Sequence, residues 1–504
     1  MGPGSSVAVT PTGARMPARA RLTALAFALG AALAAQPGPA PSAELRAFLK
    51  VEAPVVALVH ARVVDGTGAP AREDQTLILR DGRIEAMGAT GSLKAPQEAQ
   101  VLDLTGHTVL PGLVGMHNHL FYTHSIHSDE KGAAIAPGRL FAEIAHSAPR
   151  LYLACGVTTI RTTGSLEPYT DLNVKRQIDA GLMPGPKMDV TGPYLEGLEP
   201  MTPQMHALRS PEEARRFVDF WADAGVTSFK AYMNIRRAEL GAAIQAAHAR
   251  GLKVTGHLGS VTWPEAMALG IDNFEHGPVY TDTEFAPDKK PDTGPPVAAS
   301  WGSWLKVDMA GPEVQKLIRD LVAKRVAVTS TLPVFELGVP GRPPLQARML
   351  AAMSAESKAS YLAARGRVKV VSNGMAEQLL KKEMAFELAF VKAGGLLLAG
   401  PDPTGMGGVL PGFGDHRELE LLVEAGFAPV EAIRIYTANG AAFLGRLDRI
   451  GTLAPGKQAD LVVVMGDPST RIEDIERVVT VFKDGLGYDP AKLVESVRGQ
   501  VGTR

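Results

Sequence analysis

A single cysteine, Cys155, is the only thiol in the chain, so no internal disulfide can form and stability has to come from core burial or bound metal. A catalytic thiol is one reading of it. A small buried residue closing the apolar stretch from Leu151 is the better one. An excess of charge of one sign is missing too: the formal net charge is -1 at pH 7 and no long basic cluster occurs, which argues against a nucleic-acid partner. Apolar runs long enough to span a bilayer are also absent. The run from Leu22 to Ala35 is too short for comfort and is followed at once by Pro37, Pro39 and Pro41.

That short run has a different use. Arg15, Arg19 and Arg21 precede it, and Ala32-Leu33-Ala34 offers a small-residue cleavage site, the layout of a secretory signal. The expectation is a signal peptide and preceding segment over 1–36, cleavage near Ala34 or Ala35, a periplasmic or secreted enzyme, and no stable membrane insertion afterwards. Either Met1 or Met16 can be the start. The 504 residues, 45% hydrophobic and 21% charged, leave ample room for a large globular unit with a smaller satellite.

Two β-rich regions lie far apart in the chain. Near the N-terminus are Val55–Val59, Thr76–Arg80 and Arg83–Met87, the last two separated by Asp81-Gly82; near the C-terminus are Asp460–Met465 and Val478–Lys483, followed by Asp484-Gly485. Asp-Gly between such runs predicts hairpins, and the two ends together predict one composite β-sandwich domain over 37–107 plus 446–490, with 491–504 as a tail. Between them, short apolar runs alternate with amphipathic helical stretches, the pattern of βα units around a parallel sheet. The candidate strands are Thr108–Met116, Val157–Arg161, Lys187–Thr191, Ser228–Met233, Lys253–Gly256, Asn273–Glu275, Val326–Thr331 and Gly395–Ala399; candidate helices include Pro211–Ala224, Arg236–Arg250, Pro312–Lys324, Met375–Ala393 and Pro429–Leu444. Eight strands favour an α/β fold of the (β/α)8 TIM-barrel type over 108–445. Two stretches exceed what the units need. The Pro- and Gly-rich segment 277–304 is either a substrate wall or a disordered insertion, and 346–367 reads as an added helix.

The chemistry sits at the strand ends. Met116-His117-Asn118-His119 closes the first candidate strand, and side chains two apart on a strand face the same way, so both imidazoles can meet one metal. Lys230 lies in the fourth strand, His257 ends the fifth, His276 ends the sixth and Asp402 follows the eighth. Singly, these are ordinary: a snorkelling lysine, core histidines, a helix-capping aspartate. Together, five strand ends carrying metal-type ligands point to a metal centre at the C-terminal face of a barrel.

These residues, with Val157-Thr158-Thr159-Ile160-Arg161, Asp272-Asn273-Phe274-Glu275-His276-Gly277 and the stretch from Gly451 through Gly456, Lys457 and Asp460 to Leu461, make the chain similar to the amidohydrolase superfamily, and most to its imidazolonepropionase-like and prolidase-like branch. The resemblance covers nearly everything after the signal region. It implies two divalent metals, with zinc fitting the ligands best and manganese, cobalt or iron left open. Lys230 matches a lysine that relatives carboxylate to a metal-bridging carbamate; His117, His119 and Asp402 would hold the more buried ion and His257 and His276 the more exposed one. Gly400-Pro401-Asp402-Pro403 departs from the usual pattern, since relatives commonly have Ser or Thr before the Asp.

The expected reaction is hydrolysis of an amide C–N bond, in a dipeptide or an N-acyl amino acid. Two cations lower the pKa of a bridging water to about 7, Asp402 moves the proton, and Tyr232, two residues past Lys230, either donates to the oxyanion or packs in the core. Arg161 can pair with a substrate carboxylate or form a structural ion pair, the latter being favoured. His124 and His127 read as loop residues. Alternatives are a lactonase or esterase on the same site, a mononuclear deaminase without the lysine bridge, and a metal-free scaffold. The partner is a small molecule or short peptide, and a homo-oligomer is expected.

Overall fold

The Asp-Gly pairs form two tight hairpins. Strands Arg72–Arg80 and Arg83–Ala89 run antiparallel with Arg80 opposite Arg83, and Lys483 faces Leu486 in the same way. In each turn both central residues have positive φ, 48° and 76° at Asp81 and Gly82 and 51° and 81° at Asp484 and Gly485; this is the turn whose twist matches the flanking strands. The computed structural model describes residues 1–2, 40–123, 141–371 and 373–502. The expected leader over 1–36 falls outside them apart from Met1 and Gly2, and His124 and His127 fall outside them entirely.

Segments from both ends of the chain interleave in one nine-stranded sheet. Its central contact is Leu461–Met465 lying antiparallel to His107–Pro111, with Val463 opposite Val109. Val55–Val63 branches, taking Arg72–Arg80 along its length, Gln100–Asp103 on its first half and His107–Pro111 at its end. The alternate residues Val56, Leu58, Leu77, Leu79, Leu461 and Phe482 share a core of their own.

The chain leaves that sheet at Gly112. Here the expected strand Thr108–Met116 is two strands, His107–Pro111 in the composite sheet and Leu113–Asn118 in a parallel set. Gly112 lies against Thr158 so closely that a Cβ would stand 2.1 Å from its hydroxyl, and only glycine permits that approach. The parallel strands are β1 (Leu113–Asn118), β2 (Val157–Thr162), β3 (Lys187–Val190), β4 (Ser228–Ala231), β5 (Lys253–Gly256), β6 (Asn273–Glu275), β7 (Ala327–Ser330) and β8 (Leu397–Ala399). β1 to β3 form one three-stranded sheet and β4 to β8 one five-stranded sheet, each in sequence order. Backbone contacts join them at both junctions. Thr191 bridges Ser228 in parallel sense between β3 and β4, and beyond β8 the Asp402 N–H donates to the His117 carbonyl at 3.1 Å.

Helices cover the returns from each strand. Pro211–Ala224 starts on Ser210, whose hydroxyl accepts from the Glu213 N–H, and stops at Gly225 with φ 106°. Arg237–Ala249, Pro312–Lys324 and Met375–Lys392 occupy the expected places. The expected helix Pro429–Leu444 is interrupted by a π turn over Ile435–Asn439, after which Gly440 packs against Val114 and Met116. The segment 277–304 is folded: Pro278–Thr281 and Val297–Trp304 are helical, and the Asp282 carbonyl accepts from the Trp304 indole and the Ser300 hydroxyl at 3.0 and 3.1 Å. The added element over 346–367 is a pair of helices, Ala347–Ala352 and Ala355–Val371.

Candidate metal centre

All eight parallel strands point their carboxyl ends to one side, and the candidate residues gather there. His117 and His119 lie on the same side of the chain at the end of β1. Asn118 between them faces away and donates to Asp415 Oδ1 at 3.0 Å, as the two-residue period of a strand requires. Lys230 from β4 places its Nζ 3.2 Å from His117 Nε2. His257 and His276, from the ends of β5 and β6, bring Nδ1 and Nε2 to 3.0 Å of each other. Asp402 reaches across: Oδ1 is 3.3 Å from His119 Nε2 and 3.7 Å from His117 Nε2, and Oδ2 is 3.9 Å from His276 Nε2. Ligand atoms of His117, His276 and Asp402 all lie within 4.8 Å of one another. His276 and Asp402 adopt left-handed backbone, φ 65° and 47°, a conformation that non-glycine residues enter at a cost and that concentrates at functional sites.

The outer nitrogens show what the inner ones are for. His119 Nδ1 stands 3.2 Å from the Gly164 carbonyl, which can only accept, so Nδ1 carries the proton and Nε2 presents a lone pair. His117 Nδ1 faces the Glu275 carboxylate at 2.8 Å with the same result. His276 Nδ1 is held by the Thr331 hydroxyl at 2.6 Å. Burial lowers the pKa of every one of these rings, to about 4 in His119 and about 3 in His257, so they are neutral at pH 7. Burial pushes the Asp402 carboxyl up, but protonated His117, His119 and His276 would pull it well below the usual range, so on acidification an imidazole takes a proton before this carboxylate does. A neutral imidazole lone pair therefore faces a carboxylate across 3.3 Å, an arrangement that calls for a cation between them. In tetrahedral zinc with Zn–N bonds of ~2.0–2.1 Å, neighbouring ligand atoms stand ~3.3 Å apart; His119 and Asp402 stand at that separation, and His117 and His276 lie 3.7 and 3.9 Å from the same carboxylate. The donor set fits divalent metal. Burial lowers the Lys230 ammonium to about 8, so a neutral amine is accessible near physiological pH.

Glu275 escaped the sequence reading. It is fully buried, and burial pushes its pKa up, yet Arg161 and His117 more than offset this and bring it down to about 2. Arg161 donates to Glu275 Oε1 at 2.6 Å, to Asn273 Oδ1 at 3.0 Å and twice to the Met116 carbonyl; Thr255 adds a hydroxyl bond to Glu275. Arg161 thus forms the structural ion pair and does not face the cavity. The signal was present: Asn273 and Glu275 are two apart on a three-residue strand, so both face one side, and a buried acid there needs a base. Thr331 gave no such signal.

Above this layer opens a cavity of about 530 Å³, lined by His119, Lys230, Tyr232, His257, His276 and Asp402 at its floor, with His117 beneath them. The Tyr232 ring packs edge-on against His257 at 5.1 Å and Tyr194 at 4.7 Å. The segment 277–304 supplies part of the wall through Tyr280 and Trp301. Cys155 is buried away from this cavity, its thiol pushed up to about 12 by burial.

The architecture and this donor set define a metal-dependent hydrolase of the class that acts on carbon–nitrogen bonds. The chain belongs to the amidohydrolase family, whose sequence profile matches residues 108–280 and 348–486. A structure from Bifidobacterium longum, provisionally named a prolidase, is 26% identical with a TM-score of 0.61, covering 88% of this chain and 99% of that one. Two further structures share the fold: a Xaa-Pro dipeptidase with methionine bound in its active site (18% identical, TM-score 0.62, 86% and 100% covered) and a bottromycin amidohydrolase (19%, 0.65, 91% and 97%). Adenine deaminase 1 of Carboxydothermus hydrogenoformans is 41% identical over 54 residues, a stretch spanning 11% of this chain and 9% of that enzyme.

Proposed function

We propose that this protein is an exported, binuclear amidohydrolase that cleaves an amide bond in a dipeptide or N-acyl amino acid, working at the mouth of a closed (β/α)8 barrel attached to a composite β-sandwich. Two divalent ions, zinc by ligand type, would be held by His117, His119, His257, His276 and Asp402, with Lys230 carboxylated between them. The observation that carries this reading is the convergence of four imidazoles, a lysine of lowered basicity and a carboxylate from strands far apart in sequence, with three outer ring nitrogens already engaged. Barrel closure is supported by the Thr191–Ser228 bridge and the Asp402-to-His117 backbone bond. Export rests on the leader pattern alone.

Ions held by these residues would supply hydroxide near neutral pH and polarise the scissile carbonyl. Asp402, within reach of both His119 and His276, takes the proton from the attacking oxygen and passes it to the leaving nitrogen as the C–N bond breaks, giving an acid and an amine. Tyr232, in the cavity floor, donates to the oxyanion.

Metal analysis with a hydrolysis screen tests this. About two metals per chain are expected, with turnover of dipeptides or N-acyl amino acids. Lys230→Ala should lose bridging metal and rate, with partial recovery on adding short carboxylic acids; a variant that keeps full metal and full rate refutes the binuclear reading, and one metal per chain in the native protein favours a deaminase.

A further inference from the structure

The cavity above the candidate metal centre has two apolar walls, and they start on opposite sides of Asp402. One begins at His119, which stacks on Phe121 at 4.4 Å, and continues through the cluster of Phe121, Leu166, Tyr194, Met205 and Tyr232 contributed by the exits of β1 to β4. The other begins at His276, whose ring meets Phe335 edge-on at 5.3 Å. Phe335 in turn stacks on Tyr280 at 3.5 Å with planes 8° apart, and Tyr280 meets Trp301 at 5.8 Å; these residues follow β6 and β7. A second cavity of about 300 Å³ shares Tyr280, Trp301, Val334, Phe335 and Gly338 with the first and is also lined by Met375 and Leu379, so this wall has apolar space on both of its faces.

Among the described residues, charge in this cavity is confined to the floor. Among the described lining residues the only fixed charges are Lys230 and Asp402, and both are turned to the ligand cluster. A free dipeptide would bring an ammonium and a carboxylate against phenyl, indole and thioether groups, and an unpaired charge taken out of water there costs several kcal/mol.

We propose that the site selects an uncharged amide bearing an apolar group on each side of the scissile bond, the bulkier one against Tyr280, Trp301 and Phe335. This rests on the amide-hydrolase reading and sets neutral lipophilic amides above both the free dipeptides and the N-acyl amino acids named there. Burying one large apolar side chain contributes ~1.5–3 kcal/mol, a factor of roughly 10–100 in affinity, so discrimination should be of that order.

Three probes separate the possibilities: N-isopentyl-2-phenylacetamide, its carboxylated counterpart N-phenylacetyl-L-leucine, and glycyl-L-glutamate. kcat/KM is measured on metal-loaded enzyme and Kd by calorimetry on chelator-treated enzyme, where turnover plays no part. The neutral amide should bind and react at least tenfold better than N-phenylacetyl-L-leucine and about 100-fold better than glycyl-L-glutamate. Phe335→Ala, with Phe335→Leu as the milder change should folding suffer, should lower the ratio of neutral-amide to glycyl-L-glutamate affinity about tenfold. Equal or better binding of either charged probe, or failure of the neutral amide to bind, overturns the proposal. Tight binding of the neutral amide with no hydrolysis of any probe leaves this proposal standing and removes the amide-hydrolase reading; fastest cleavage of glycyl-L-glutamate does the reverse.

Discussion

Two glutamates in this protein are equally hidden from water and sit in opposite protonation states. Glu275, at the end of β6, is brought down to about 2 because Arg161 and His117 outweigh the effect of burial. Glu387, on the helix Met375–Lys392 behind β7, has the Ser330 hydroxyl at 2.9 Å and, among the described residues, no cation against it; burial pushes it up to about 8. Its neighbours Glu383 and Glu418 are raised well above the ordinary value by the same cause. Burial alone therefore decides nothing about charge. What decides is whether a cation stands against the carboxylate, as Arg161 does at Glu275, which orients a candidate metal ligand. Beneath the site, a fixed charge holds the His117 imidazole in one tautomer; a few residues away, neutral acids act as polar packing.

Replacing carboxylates by their amide isosteres breaks this comparison at each point. The largest effect belongs to Asp402→Asn, which keeps shape but removes the proton acceptor: hydrolysis should fall by roughly 10²–10⁴. An undiminished rate would refute the assigned shuttle. Glu275→Gln comes next. It leaves the Arg161 guanidinium buried without its counter-charge, and breaking a buried pair in this way costs about 3–5 kcal/mol, read as a fall in the denaturant midpoint. A shift no larger than that of an exposed pair such as Lys316–Asp320 would show that Arg161 is satisfied by Met116 and Asn273 alone.

Thr331→Val asks whether orientation without charge matters. The swap preserves volume and deletes the hydroxyl that holds His276 Nδ1. Loss of such an outer partner weakens metal affinity by about 10–100-fold, measurable by competition with a chelator; unchanged affinity would mean the ring is fixed by packing against Phe335 instead.

How much of this could be read in advance depended on whether the determinant was local. The strand ends were legible because apolar runs bounded by glycine and helical periods recur along the parallel-strand region, and because His117, His119, Lys230, His257, His276 and Asp402 fall at or near those ends. The hairpins were legible in Asp81-Gly82 and Asp484-Gly485, where the turn itself demands those residues. Gly112 was not, since its role comes from a contact with Thr158 forty-odd residues away. The aromatic wall from Tyr280 and Trp301 was half legible: the length of 277–304 flagged it, but only the packing of Trp304 and Ser300 onto Asp282 decides between a wall and a loose insertion. Glu275 illustrates the remaining gap. Its parity with Asn273 marks a shared face, yet nothing nearby in sequence names Arg161 as the partner.

The smallest effect, and the one that isolates burial from pairing, is Glu387→Gln. A carboxyl whose pKa rises on folding from about 4.5 to about 8 binds more protons in the folded chain than in the unfolded one across that window. Stability from this group is therefore complete below about pH 4.5 and is lost as pH climbs toward 8. Glutamine carries no such penalty. The difference in Tm between variant and wild type should be near zero at pH 5 and positive by a few degrees at pH 8, and taking the difference at each pH cancels any titration of the metal ligands common to both proteins. Glu383, Glu418 and Asp415, which titrate in the same direction, will keep some slope in both. A difference that is flat from pH 5 to pH 8 would mean that Glu387 is ionised in the fold, and that the contrast with Glu275 lies in something other than the missing cation.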